Sequence, residues 1–310
     1  MKKIKAGIVG TGSMGCHHVR VLSSMDGVEV VGVYDSDPVC LEHICKKNNA
    51  KAVKSISELL AQKPDTVSIA VPASLHEEVA LPFIKAGISI LIEKPLANTH
   101  ETAKRIIESA KKSGARIMVG HIERFNPAIV ALKKYVDNKK ILSIDITRVG
   151  PTPPRIKDVG ITIDLGIHDI DLATFLTGKK IVATSCATRS TRGDVHEDIS
   201  MLLLKLEDGC IAQIHSNWLT PVKTRAIQIA TTTEFIKADL IEKSVSIFNR
   251  FPDNDDASFS TKLEIEIKEP IRAELESFIH SVRTGEPFAV TAEEGLIALQ
   301  TATNCLNNSI

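Results

Sequence analysis

Over the first 120 positions, short apolar runs alternate with amphipathic stretches. Residues 4–9, 28–34, 66–71, 88–92 and 115–119 are dense in Val, Ile and Ala, the composition of strands covered on both faces. Between them, residues 16–24, 37–48, 57–62, 78–86 and 98–113 space their apolar positions as helices do. Turn chemistry sharpens the boundaries. Asp37-Pro38 opens one helix and Ser57 is expected to cap the next. Ser74 with Glu77, and Asn98 with Glu101, have capping-box spacing, while Gly87 and Gly114 stop helices. Strand–helix alternation of this kind predicts a doubly wound parallel sheet with right-handed crossovers, an α/β Rossmann domain over residues 1–121.

After Gly120 the pattern changes. Strand-like runs follow one another at 141–148, 181–189, 199–206, 210–218, 225–230, 234–239, 245–248 and 262–267. Alternation is plain at Ile227 and Ile229, and at Leu263, Ile265 and Ile267; Glu207-Asp208-Gly209 reads as a hairpin turn. Helical spacing is confined to 127–136, 162–176, 271–283 and 292–307. The expectation is an α+β domain over 122–310 with a mostly antiparallel open sheet. Helix 162–176 would cover one sheet face, leaving the other for a homodimer or homotetramer.

Composition narrows the classes. A chain of 310 residues has room for two domains, and 38 basic against 38 acidic residues give no pull toward nucleic acid or an anionic membrane. No apolar run reaches the length of a membrane span. Gly7, Gly10, Gly12 and Gly15 break up the stretch that a secretory leader would need, so the cytoplasm is the expected location. The cysteines at 16, 40, 45, 186, 210 and 305 form no CxxC pair. Cys40, His43 and Cys45 lack a second ligand cluster, and no metal is expected.

Candidate chemistry gathers in three places. Gly10-Thr11-Gly12-Ser13-Met14-Gly15 follows a strand and opens a helix, the context that gives a GxGxxG motif meaning. The first glycine permits a tight turn, the second admits a pyrophosphate to the backbone and the third lets helix pack on strand. Asp35, 20 residues after Gly15, ends the second strand and is placed to bind ribose hydroxyls. Its charge disfavours a 2′-phosphate, so NAD is expected rather than NADP. Ser74 and His76, after the next strand, either line the cofactor groove or cap a helix.

Glu93-Lys94-Pro95 ends the run 88–92, at the strand edge where open α/β sheets bind ligands, and the proline restricts the lysine backbone. Lastly, a proline-stiffened loop bearing Arg155 and Lys157 precedes Asp164-Leu165-Gly166-Ile167-His168-Asp169-Ile170-Asp171. On an α-helix Asp164 and His168 share a face, with Asp171 near it and Asp169 turned away. A carboxylate beside an imidazole suits a general acid/base. Arg155 and Lys157 could clamp a diphosphate, and Trp218 could line a substrate pocket.

Together these features resemble the glucose–fructose oxidoreductase, inositol dehydrogenase and MocA-like (Gfo/Idh/MocA) family. The resemblance rests on the glycine motif, the acid at 35, Glu93-Lys94-Pro95, the Arg124-Phe125-Asn126-Pro127 stretch and Asp164-x-x-x-His168, in that order. It implies that Lys94 and His168 are catalytic with Asp164 as partner. By the same implication Glu93 and Pro95 position the lysine, and Arg124 approaches the nicotinamide end of the cofactor. The loop before the helix, with His121-Ile122-Glu123-Arg124-Phe125-Asn126-Pro127, resembles the UDP-N-acetylglucosamine 3-dehydrogenase members. The implied reaction is NAD-dependent oxidation of a secondary hydroxyl of a sugar or nucleotide sugar. A free-sugar or inositol dehydrogenase, a reductase of an unsaturated or imine substrate, and a nicotinamide-sensing regulator are the other readings.

Overall fold

The computed structural model describes residues 3–152, 159–191, 193, 196–249 and 260–309. The chain divides into two compact units. The first holds residues 1–122 and 271–299, the second 123–270 and 300–310.

In the first unit, strands β1 (Ile4–Val9), β2 (Val28–Tyr34), β3 (Thr66–Ile69), β4 (Ser89–Glu93) and β5 (Ile117–Gly120) form a parallel sheet of order β2-β1-β3-β4-β5. Helices α1 (Gly15–Ser23), α2 (Pro38–Asn48), α3 (Ile56–Ala61), α4 (His76–Lys85) and α5 (His100–Ser113) connect them. Ile90, Leu91 and Ile92 of β4 are fully buried, each contributing about 1.5–3 kcal/mol of burial free energy. The strand order reverses between β1 and β3, so the carboxyl ends of those strands flank the crevice where such sheets take ligands.

Three caps differ from expectation. Ser55, not Ser57, accepts the Glu58 N–H, while Glu58 accepts from the Lys54 N–H. Thr99, not Asn98, caps α5 through the Thr102 N–H. Ser74 caps nothing: it is exposed in a single 3-10 turn (Ala73–Leu75), and Glu77 instead takes a two-bonded grip on Arg105 of α5. In each case another hydroxyl or cation lay within reach, and spacing alone does not rank such competitors.

The second unit contains α6 (Pro127–Val136), β6 (Ile141–Pro151), α7 (Ile167–Thr177), β7 (Ile181–Arg189), β8 (Ile199–Leu206), β9 (Ile211–Asn217), β10 (Leu219–Thr231), β11 (Glu234–Asp239), β12 (Ser244–Asn249) and β13 (Ser260–Lys262). Its sheet runs β13-β12-β11-β10-β6-β9-β8-β7, antiparallel except for the parallel β6–β9 pair. β8 alternates cleanly, with Leu202, Leu204 and Leu206 buried and Met201 and Leu203 exposed. The strand expected at 262–267 stops at Lys262; beyond it Leu263 and Ile265 are half-buried and Ile267 is exposed.

Helices α8 (Pro270–Thr284) and α9 (Ala292–Asn307) close the chain. Residues 271–299 belong with the parallel sheet, so the second unit is not the continuous 122–310 segment that the sequence suggested. Val119 N–H of β5 donates to Val290 O at 3.2 Å, and Met118 bridges Thr291. Among the described residues, no helix is long and apolar enough to cross a membrane.

Candidate active site

Between β1 and α1 the glycines do different work. Gly10 has φ +95° and a side chain there would run into Ala70 O, so only glycine fits. Gly15 lies against Gly10 O, which lets α1 start directly on the strand end. Above Gly12 the space is open, with nothing within 4 Å of where a Cβ would stand. No side chain caps the α1 amino terminus. An open backbone approach at a helix amino terminus fits a pyrophosphate. Asp35, at the end of β2, is held in place: Thr11 Oγ1 donates to its Oδ2 at 2.8 Å and Asp37 N–H to its Oδ1 at 2.8 Å. A fixed carboxylate after β2 fits ribose hydroxyls and opposes a 2′-phosphate. Ser13 is exposed and Met14 half-buried on the same turn.

At the carboxyl end of β3, Ser74 is exposed, while His76 is fully buried. The His76 ring spans Leu96 O at 3.2 Å and Val71 O at 3.0 Å, tying the loops after β3 and β4 together. Burial pushes its pKa down, against the pull of those carbonyls.

At the end of β4, Glu93 is buried, Lys94 half-buried and the Lys94–Pro95 bond cis. Glu93 points inward. Its Oε1 bonds His18 Nε2 of α1 at 2.9 Å, and His18 Nδ1 bonds Ser68 Oγ of β3 at 2.6 Å. Glu274 of α8 completes a buried trio, the ligating atoms of the three lying within 4.8 Å of one another, a set that could hold a metal ion.

In the second unit, residues 162–166 form a π-helical turn that passes into α7 at Ile167. The 3.6-residue arithmetic used for Asp164 and His168 therefore does not carry across the junction. Asp164 is half-buried and His168 is 8% exposed. The turn is anchored at its start, where Thr162 N–H donates to Glu197 Oε1 at 2.9 Å and Thr162 Oγ1 bonds Ser200 Oγ at 2.9 Å. Gly160 leaves room for that carboxylate, which a side chain at 160 would strike.

Two arginines orient α7. Arg148, fully buried on β6, donates from Nε to both Asp169 oxygens at 2.9 Å and from Nη1 to Glu123 at 2.8 Å. Arg225 reaches the same Glu123 oxygen at 2.6 Å. Burial works against the Arg148 cation, but Asp169 and Glu123 outweigh it and hold it protonated. Burial would likewise raise Glu123, yet Arg148 and Arg225 keep it below the usual carboxylate range. Burial pushes Asp169 up even with Arg148 beside it. Arg124 grips Asp171 with two bonds of 2.8 and 2.6 Å and stacks on Phe175, which places it in the framework under α7.

Trp218 follows β9, buried, with Thr152 Oγ1 donating to its carbonyl at 3.0 Å; among the described residues its indole N–H has no partner. Arg155 and Lys157 lie outside the described residues. Reading the sequence missed His18, Glu274, Arg148 and Glu197. Three of them left a signal: each stands where an apolar residue belongs, His18 with Val19 and Leu22, Glu274 with Ile271, Leu275 and Phe278, and Arg148 in line with Ile144 and Ile146.

Sheet order, glycine turn and acid after β2 are those of a Rossmann dinucleotide-binding domain. Residues 4–121 match the family described as oxidoreductase family, NAD-binding Rossmann fold, and residues 140–237 match its GFO/IDH/MocA C-terminal domain. The chain belongs to the Gfo/Idh/MocA oxidoreductase family. A UDP-N-acetylglucosamine 3-dehydrogenase of Acidithiobacillus ferrooxidans is 26% identical over 294 residues, 93% of this chain and 91% of that protein. A scyllo-inositol 2-dehydrogenase (NAD(+)) of Bacillus subtilis is 27% identical, covering 99% of this chain and 95% of its own length. Among solved structures, the A. ferrooxidans UDP-N-acetylglucosamine 3-dehydrogenase superposes with a TM-score of 0.91 at 24% identity, covering 100% of this chain and 98% of that one; this speaks to the fold.

Proposed function

We propose that the protein oxidises a secondary hydroxyl of a sugar, with a nucleotide sugar such as UDP-N-acetylglucosamine, oxidised at C3, as the substrate. The observation that carries the dehydrogenase reading is the company kept by the open glycine turn. Lys94 stands at the carboxyl end of β4 in that same unit; Asp164 and His168 lie in the second unit, on its anchored 162–177 segment.

NAD, when bound, supplies the acceptor for the hydride leaving the alcohol carbon. The chain's own residues manage the proton. His168 removes it from the hydroxyl, and Asp164 stabilises the resulting imidazolium. Lys94 hydrogen-bonds the reacting oxygen and stabilises the charge developing there. Arg155 and Lys157 hold the diphosphate, and the unpartnered Trp218 N–H offers a donor to substrate.

The nucleotide-sugar assignment draws support from the A. ferrooxidans relative, which matches over nearly its whole length. A free inositol is the second reading, favoured by the inositol dehydrogenases of equal identity. Incubation with NAD and either UDP-N-acetylglucosamine, N-acetylglucosamine or inositols, following reduced nicotinamide, separates them. Turnover with inositols alone overturns the nucleotide-sugar assignment. NAD binding without turnover on any of them leaves the sensor.

The exposed apolar side chains of the second sheet, Val182, Met201, Leu203 and Ile211, support self-association of the chain as a homodimer or homotetramer through that face.

A further inference from the structure

The buried trio behind Lys94 is not used by the reaction just described. His18 is fully buried on α1, the helix that opens at the glycine turn, and bonds β3 through Ser68 and β4 through Glu93. Gly120 of β5 makes room for this arrangement: a Cβ there would stand 3.0 Å from the Glu93 carboxylate. Glu274 arrives from α8, fully buried, and among the described residues neither of its carboxylate oxygens has a hydrogen-bond partner. Four elements of one unit thus converge on the side chain that immediately precedes Lys94.

We propose that His18 and Glu274 are positioning residues for Lys94, acting through Glu93. The proposal rests on the assignment of Lys94 to the reacting oxygen. Both His18 ring nitrogens face oxygen, Ser68 Oγ at 2.6 Å and Glu93 Oε1 at 2.9 Å, so the ring is held between β3 and β4 and fixes the Glu93 carboxyl group. Burial, and then the Glu93 charge, push the Glu274 carboxyl well above the usual carboxylate range. The His18–Glu93 contact at 2.9 Å is a hydrogen bond that a metal ion would have to break.

The test uses the full chain with NAD and UDP-N-acetylglucosamine or myo-inositol, whichever turns over. His18→Leu should lower kcat on the order of 100-fold while KM for NAD moves less than about threefold, the signature of a misplaced group rather than lost binding. Gly120→Ala, which pushes on Glu93 from the other side without touching His18, should give the same split and covers the case in which His18→Leu fails to fold. Glu274→Gln, which keeps the size and a hydrogen-bonding end at that buried position, should retain the turnover lost in Glu274→Met. A readout free of turnover is competitive acetylation of the lysines followed by peptide mass spectrometry, in which Lys94 alone should change reactivity in His18→Leu. Adding His18→Leu to Lys94→Met should cost nothing further.

Wild-type kcat and Lys94 reactivity in both His18→Leu and Gly120→Ala overturn the proposal, as does a stoichiometric divalent cation in the purified protein that Glu274→Gln releases. Unchanged turnover in Lys94→Met overturns the assignment of Lys94 instead, so the two failures are distinguishable.

Discussion

Replacing Arg148 by Met leaves Asp169 buried without its cation, while Glu123 keeps Arg225. Methionine matches the length of the arginine stem, so the perturbation is mainly loss of charge rather than of volume. Breaking one side of a buried ion pair costs about 3–5 kcal/mol, a large share of the roughly 5–15 kcal/mol that holds a native protein. At a urea slope of about 3 kcal/mol per molar, a loss of about 4 kcal/mol moves the unfolding midpoint down by about 1.3 M. Removing both partners, as Arg148→Met with Asp169→Leu, should recover the loss to within about 1 kcal/mol, because paired apolar replacements of buried ions are close to neutral.

The pH dependence has a fixed sign. Burial already raises the folded-state pKa of Asp169, and losing Arg148 raises it further above the unfolded value of about 3.9. A group raised on folding favours the folded state below its unfolded pKa, and that contribution is lost as pH climbs through the folded pKa. The deficit of Arg148→Met should therefore be greater at pH 8 than at pH 5. Urea melts at the two pH values measure it. A single-variant cost below about 1 kcal/mol, a double variant no better than the single, or a greater deficit at the lower pH would refute the reasoning.

Other outcomes can be checked more quickly. Lys94→Met and His168→Asn should each lower kcat by about 10²–10⁴ with the calorimetric affinity for NAD retained. Asp35→Ser should weaken NAD binding by about tenfold and raise the relative use of NADP, read from initial rates with each cofactor. Gly160→Ala sets a methyl on the Glu197 carboxylate and should destabilise the protein by about 1–3 kcal/mol, seen as a lower thermal midpoint. Leu203→Glu, on the exposed face of β8, should reduce the mass found by light scattering to that of one chain while leaving the circular dichroism spectrum intact.

The parallel sheet was readable because its signals are local. Val28–Tyr34 and Ser89–Glu93 each carry an apolar run, Val30–Val33 and Ile90–Ile92, and the glycines punctuate at fixed offsets. The places of Asp35 and Lys94 at strand ends were readable in the same local way. What escaped had separate causes: Ser55 took the cap from its neighbour Ser57, a competition that spacing does not rank, and Glu197 anchors Thr162 from 35 residues away. The π turn at 162–166 escaped for another reason, since nothing in Thr-Ile-Asp-Leu-Gly distinguishes it from an α-helical start. Arg148, His18 and Glu274 were visible as polar residues on apolar faces, and periodicity discards such positions as exceptions when they are the informative ones.

The return of residues 271–299 to the first unit bears on how the protein is made. Val290 and Thr291 engage β5, the outer strand of the parallel sheet, and Glu274 joins His18 and Glu93 at its centre. Translation delivers these residues only after the whole of 123–270 has been made. The dinucleotide unit therefore cannot be completed before then, and until that point a strand edge and a buried histidine lack their cover. A fragment cut at residue 122 would carry that same unfinished surface permanently. A chain in which 122 is joined by a short linker to 271 is the form of this unit to express alone.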